Sequence, residues 1–259
     1  MKISQPLLIL IMLSALKTYA QQPRFTTSGK IEFEKRVNTY ALIRRGEISG
    51  KRTEGNERVL LEAYQQDNPQ FKILKSTLTF NTALTLFTPV DTEAPAGQGF
   101  SMPIGAQNNT IYSDHTAGII TVKKNVMGEN FLLDDSVRNI NWKITDETRE
   151  VCGFTCRRAN ALVMDSIYVV AFFAEQIHAP GGPESFGGLP GMILELALPH
   201  ENVSWKAIKV EEITLPVNTL IPPKGGKKRT KTELIGLLKD ITKNQSPKAT
   251  NLMLKASLL

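Results

Sequence analysis

Between Ala179 and Leu196 the chain reads Ala-Pro-Gly-Gly-Pro-Glu-Ser-Phe-Gly-Gly-Leu-Pro-Gly-Met-Ile-Leu-Glu-Leu. Gly181, Gly182, Gly187, Gly188 and Gly191 alternate with Pro180, Pro183 and Pro190 between two apolar runs. Glycine reaches backbone angles closed to other residues, and proline fixes φ and removes a donor. A loop this dense in both has one particular path and is not a flexible linker. Its apolar members Phe186, Leu189, Met192 and Ile193 argue for a rigid corner plugged into the core between two strands. The competing reading is a loop that rims a ligand pocket, its glycines letting a ligand approach the backbone. On the corner reading, Gly188→Val is expected to abolish folding.

The flanking sequence alternates with a period of two, the mark of half-buried strands. Ile31 and Phe33 face away from Lys30, Glu32 and Glu34. Phe71 to Val90 reads as two strands joined at Asn81-Thr82, and Thr110–Tyr112, Gly118–Lys123 and Asn130–Leu133 are three more. Ile140, Trp142 and Ile144 alternate before an expected turn at Asp146-Glu147. Ile167 to Ile177 is greasy on both faces, so a central strand covered on both sides, or meeting a helix, is expected there. Met192 to Leu198 and Val203 to Ile213 complete the set, and Val59 to Tyr64 suggest a short helix ended by Asn68-Pro69. Residues 94–107 are expected to form a long loop. Many short strands at hairpin spacing predict a mainly β, β-rich α+β fold: one strongly curved antiparallel sheet or half-closed barrel.

Three domains of unequal kind follow. Lys2, the apolar run Pro6–Ala15, and Thr18 and Ala20 before Gln21 have the order of a cleavable signal peptide over residues 1–20. The run is too short for a membrane span, which takes about 20 apolar residues, and no later segment is long enough. Residues 21–215 form the β-rich domain. Residues 216–259 begin with the basic, unstructured-looking Pro222–Arg229, followed by an amphipathic helix of Leu234, Ile235, Leu237, Leu238 and Ile241. Thr232 is its candidate cap, the helix is expected to dock on the sheet, and Ser246 onward is expected to fray. Loss of Lys2 and Lys17 with the leader lowers the formal charge from +6 to +4. That is mildly basic, and Phe80, Trp142 and Phe172 lie in apolar runs instead of among lysines. Nucleic acid is therefore not an expected partner.

Chemistry is sparse. Ser185 lies in Pro-Glu-Ser-Phe-Gly, with Pro183 where a nucleophile elbow needs glycine. The loop has no lysine for phosphates, and His115, His178 and His200 share no ligand spacing. No cofactor is expected. Cys152 and Cys156 meet oxidising conditions in an exported chain. Along an extended strand their Cα atoms stand roughly 13 Å apart, whereas a disulfide needs less than about 7 Å. Gly153 is the residue that would let a tight turn bring them together. Unpaired thiols, a bridge and a metal site with distant ligands are the three readings, the first preferred.

Gly188, Leu189, Pro190, Gly191, Met192 and Ile193 together resemble the signature of the GLPGLI family of exported bacterial envelope proteins. Asn141–Thr148 resembles that family's strand and turn, Gly153–Ala159 its Gly-aromatic-x-Cys-x-x-Ala segment, and Pro222-Pro-Lys-Gly its basic exit. Met192 stands where leucine is usual, a volume-conserving exchange, and Cys152 where an aliphatic residue is. The resemblance implies secretion, a β-rich fold, no assigned enzymatic activity, and work beside outer-membrane receptors. The function expected is thus a non-enzymatic periplasmic or secreted factor, offering an apolar concave face to a lipid, peptide or protein of the envelope. The alternatives are a hydrolase using a thiol or Ser185, and a redox or metal-handling protein using Cys152 and Cys156.

Overall fold

A computed structural model of the chain describes residues 25–47, 49–50, 56–90, 100–101, 109–126, 128–216, 218–244 and 247–258. The expected signal peptide at 1–20 lies outside them, as does most of the expected loop at 94–107. Two meanders make the sheet. The first runs through β1 (Gly29–Asn38), β3 (Phe71–Phe80), β4 (Leu84–Pro89), β6 (Thr110–Asp114), β7 (Ile119–Val126) and β8 (Glu129–Ser136). The second runs through β9 (Lys143–Val151), β10 (Phe154–Val163), β11 (Ile167–Ala174), β12 (Met192–Leu198) and β13 (Val203–Glu212). They join where β1 pairs antiparallel with β13, and β14 (Lys227–Arg229) adds in parallel outside β8. The result is a 12-stranded mixed sheet with β14 and β9 at its two ends, not a closed barrel. A separate two-stranded pair links β2 (Ser49–Gly50) to β5 (Phe100–Ser101).

Alternation decides which face is concave. Gly29, Ile31, Phe33, Lys35 and Val37 of β1 are all buried, and Glu32, Glu34 and Arg36 are not. Ladder irregularities at Glu32/Phe33, Arg157/Ala159 and Phe172/Phe173 add the local twist that bulges bring. Curling is strong enough that the Cys152 thiol, in the β9–β10 turn, donates to Ala207 O at 3.1 Å, although β13 is three strands from β10. Trp205, Phe173, Leu194, Leu196 and the buried face of β1 fill the bowl.

Several local expectations change. The turn expected at Asp146-Glu147 is absent; β9 runs through those residues and reverses at Cys152-Gly153. Cys152 at φ +51° and Gly153 at φ +79° provide the paired positive angles of a tight hairpin, which Asp146-Glu147 has no glycine to supply. β11 lies between β10 and β12 and is covered on both faces, as expected, but polar side chains supply the second cover. Ile167, Val169, Ala171 and Phe173 are buried inward, and on the other face the Arg149 guanidinium lies 3.6 Å over the Phe172 ring and is bonded to Glu195 at 2.8 Å. Lys227–Arg229, expected to be unstructured, form β14 and cover the β8 edge.

Among the described residues four α-helices accompany the sheet: α1 (Thr39–Arg44), α2 (Glu57–Asp67), α3 (Lys231–Thr242) and α4 (Pro247–Leu258). The cap of α3 is Thr230, not Thr232: its hydroxyl accepts from Glu233 N while Glu233 accepts from Thr230 N, a reciprocal capping box. Leu234 and Leu238 of α3 bury against Val126, Phe131 and Leu133, so the helix docks on the first meander. The segment expected to fray is α4, held because Met253 and Leu254 join that same cluster and Leu252 meets the main core. Lys255 reaches Glu201 at 3.1 Å, in the turn between β12 and β13. The C-terminal arm thus crosses from one meander to the other.

The Gly/Pro loop turns back into the bowl. Gly188 N donates to Pro180 O at 3.0 Å and Ile193 N to Gly181 O at 2.9 Å. Gly188 has φ +84° with open space where a Cβ would stand, so only backbone strain opposes substitution there. Gly191 differs: at φ +153°, its Cβ would lie 2.2 Å from Ala174 O. Gly191, and not Gly188, is thus the glycine of the hexapeptide whose Cβ would meet backbone. Gly188→Ala is predicted to cost on the order of 1 kcal/mol and leave a cooperative melt. Gly191→Ala is predicted to give no folded protein, read by circular dichroism and calorimetry of the two variants side by side.

Candidate functional site

The signature hexapeptide is a structural hinge: Leu189, Met192 and Ile193 are buried, Pro190 is exposed, and Gly188 and Gly191 carry the turn. Upstream of it the loop brings polar chemistry into the bowl. Glu184, itself at φ +55°, places one carboxylate oxygen 3.7 Å from Lys35 Nζ and receives Asn109 Nδ2 on the other at 3.0 Å. The Lys35 ammonium also lies 4.9 Å over the Trp205 ring. Burial pulls the Lys35 pKa below its usual value, and Glu184 opposes that shift. Trp142, before β9, fastens the loop from the other side by donating Nε1–H to Gly187 O at 2.9 Å.

A second lysine occupies an inward position. On β7, Ile120, Val122, Lys124 and Val126 share the concave face by alternation. Lys124 is only 6% exposed, and its ammonium donates to Ser257 O of α4 at 2.5 Å. A carbonyl is a neutral partner, so desolvation dominates and lowers the Lys124 pKa to about 8, with Glu184 opposing and Arg138, Lys231 and Lys35 adding to the shift. Beside it the Arg138 guanidinium lies 5.8 Å over the Phe186 ring. Burial depresses the Arg138 pKa and Asp135 opposes.

Lys124 and Arg138 line a cleft of about 360 Å³ between β6–β8, the Gly/Pro loop and the C-terminal arm. Ile111, Ile120, Val122 and Leu133 make an apolar wall; Lys124, Arg138 and Lys231 bring positive charge, and Asp135 negative. Ser185 contributes to the lining, so the loop is both core corner and pocket rim.

The other candidates are dispersed. Cys152 and Cys156 are free thiols, Cys152 exposed in the turn and Cys156 buried on β10. Each donates to a backbone carbonyl, Ala207 O and Phe154 O respectively. Burial, reinforced by Glu150, pushes the Cys156 thiol up to about 12, so at neutral pH it is protonated and a poor nucleophile. His178 stacks on Phe25 with ring centroids 4.6 Å apart, and His115 meets the Thr85 hydroxyl at 3.3 Å. Of the carboxylate pairs, Asp134 accepts from the Thr121 hydroxyl at 2.9 Å while Asp135 faces the cleft. Glu211 pairs with Lys209 at 2.8 Å. Among the described residues no three His, Cys, Asp or Glu side chains group as metal ligands would, and no helix is long and apolar enough to cross a membrane. Lys35, Lys124, Arg138 and Glu184 were not singled out by motif. Their signal was a charge at an inward strand position, legible for Lys35 on the face of Ile31 and Phe33.

Residues 161–195 match a family model. Its description is "Protein of unknown function (Porph_ging)", the GLPGLI-type family, and the match covers the end of β10, β11, the loop and the start of β12. No curated protein sequence matches the chain. Among solved structures, PNGF-II in its P21 crystal form superposes with a TM-score of 0.51 at 13% identity over 82% of this chain. The C2 form gives 0.51 at 11% identity over 89%. The chain spans only 33% of those longer chains. At such identities the likeness is one of fold: a β-rich curved sheet.

Two predictions concern the buried charges. Glu184→Gln leaves the Lys35 ammonium buried without its carboxylate and is expected to cost about 3–5 kcal/mol. Adding Lys35→Met is expected to recover most of that loss, as measured by denaturant unfolding of both variants. For Lys124, below pH about 8 both folded and unfolded chains carry the charge, and the fold bears the full desolvation cost. Between about 8 and the ordinary value of 10.5, only the unfolded chain holds the proton, so stability rises with pH across that window. The stability difference between Lys124→Met and the parent should therefore shrink by about 3 kcal/mol over that window, the variant being the more stable at pH 7.

Proposed function

We propose that this chain is an exported, non-enzymatic envelope protein that binds a ligand or partner in its bowl. The observation that carries this reading is the cleft of about 360 Å³ on the concave face. It lies in the range typical of small-molecule sites and combines an apolar wall with a few convergent polar groups. A protonated Cys156 and scattered histidines favour binding over thiol catalysis.

Export is supported by the order of Lys2, the apolar run and Ala20 at the N-terminus. Membership of the whole chain in the GLPGLI-type family is supported by the hexapeptide Gly188–Ile193 and by its extension into β10 and β11. The resemblance also motivates placing the protein in the periplasm or beyond, beside an outer-membrane receptor or another envelope protein.

Two measurements test the reading. The full chain, expressed in an envelope-bearing bacterium, should be recovered outside the cytosol with Gln21 as its first residue; an intact leader in the cytosolic fraction would refute export. Native mass spectrometry of protein purified from envelope, with pull-down from envelope extract, should reveal a bound small molecule or a partner. Recovery of neither removes the basis for a binding role.

A further inference from the structure

We propose that the cleft takes an amphipathic anion: a single carboxylate or phosphate head at Lys124, Arg138 and Lys231, and an apolar tail along Ile111, Ile120 and Val122. The inference rests on the binding reading above and adds the chemical class of the ligand.

Charge is the first argument. Of the inward groups, Lys35 is matched by Glu184 at 3.7 Å, and Arg138 is offset by Asp135. Lys124 has three donors and gives one to a neutral carbonyl, Ser257 O. Lys231, the first residue of α3, adds a further cation to the same lining. The lining therefore carries surplus positive charge, with the Lys124 ammonium itself buried, and an anionic head is the group that offsets a buried ammonium. A cationic ligand would add to the surplus.

Geometry is the second argument. Alternation on β7 puts Ile120 and Val122 on the same face as Lys124, one and two inward positions along the strand. Ile111 of β6 pairs with Val122 across the ladder. The charged end and the apolar wall thus adjoin in a single cavity, which suits a head joined to a tail better than a fully polar anion. Just before Lys231, β14 carries Lys227, Lys228 and Arg229, all exposed, with Lys227 paired to Glu129 at 2.8 Å. Lys228 and Arg229 add positive charge beside Lys231, which favours the arrival of anions.

The test uses the processed chain and five probes by titration calorimetry: decanoate, decyl phosphate, decanol, decyltrimethylammonium and inorganic phosphate. Decanoate and decyl phosphate should bind saturably, whichever head is natural, and their ratio tells carboxylate from phosphate. Decanol, decyltrimethylammonium and inorganic phosphate should each be weaker by about tenfold or more. Lys124→Met should stay folded by circular dichroism and should weaken decanoate by about tenfold or more while leaving decanol unchanged. Lys231→Ala, at the exposed end, should weaken decanoate to a smaller extent and keep the parent melting temperature. Equal binding of decanol and decanoate, or decanoate binding unaffected by Lys124→Met, would overturn the proposal. If native mass spectrometry finds a neutral ligand or a protein partner and no anionic probe binds, the ligand class is wrong and the binding reading stands. If no probe binds and no ligand or partner is recovered, both fall.

Discussion

Between β11 and β12 the chain leaves the sheet, dips into the bowl and returns one strand over. The return brings Gly191 against the backbone of Ala174, where a Cβ would sit 2.2 Å from the carbonyl oxygen. No side-chain repacking relieves a contact with backbone, and no other described glycine leaves less room for a Cβ. Everything downstream in the site inherits this approach. Met192 pairs with Ala174, and Ile193 N reaches back to Gly181 O. The loop between is then held where Glu184 meets Lys35 and Gly187 O meets Trp142.

Burying lysines in a concave face is costly unless each ammonium finds a counter-charge. For Lys35 the counter-charge arrives on the Gly/Pro loop, from a residue far away in sequence, and Glu184 tolerates a left-handed backbone to deliver it. For Lys124 the arriving group is the carbonyl of Ser257, from the far C-terminus. A carbonyl solvates an ammonium without neutralising it. The difference explains why one lysine is a core pair and the other faces a cleft. It also gives the C-terminal arm a purpose beyond packing: α3 completes the first meander, α4 walls the cleft, and Lys255 ties the arm to Glu201 across the bowl.

Much of the fold was legible because strands declare themselves by alternation. Ile31/Phe33, Leu78/Phe80 and Met192/Leu194/Leu196 all bury as that period requires. The misplaced turn is instructive. Asp146-Glu147 is polar, but the reversal went to Cys152-Gly153, where glycine gives the positive φ a short hairpin needs. Arg149 on the outer face shows how the second greasy face of β11 is covered: its guanidinium plane lies over Phe172. β14 was hidden because three exposed basic residues carry no strand pattern, and a parallel partner from another region supplied the order. α4 was hidden because its apolar residues make sense only against α3 and the sheet.

Local chemistry in the sequence decided the alternating strands, the sharp return at the Gly/Pro loop, the capped helix α3 and the inward place of Lys35, since each follows from side-chain period or backbone freedom over a few residues. The tertiary structure alone decided that Glu184 would answer Lys35, that Lys124 would lack a carboxylate, and that Asp135, Arg138, Ser185, Lys231 and Ser257 would border one cleft. Lys35, Lys124, the Gly/Pro loop, Lys231 and Ser257 lie far apart along the chain, and they meet only because the curl of the sheet, set by summed twist and bulges, brings its concave positions to a common centre.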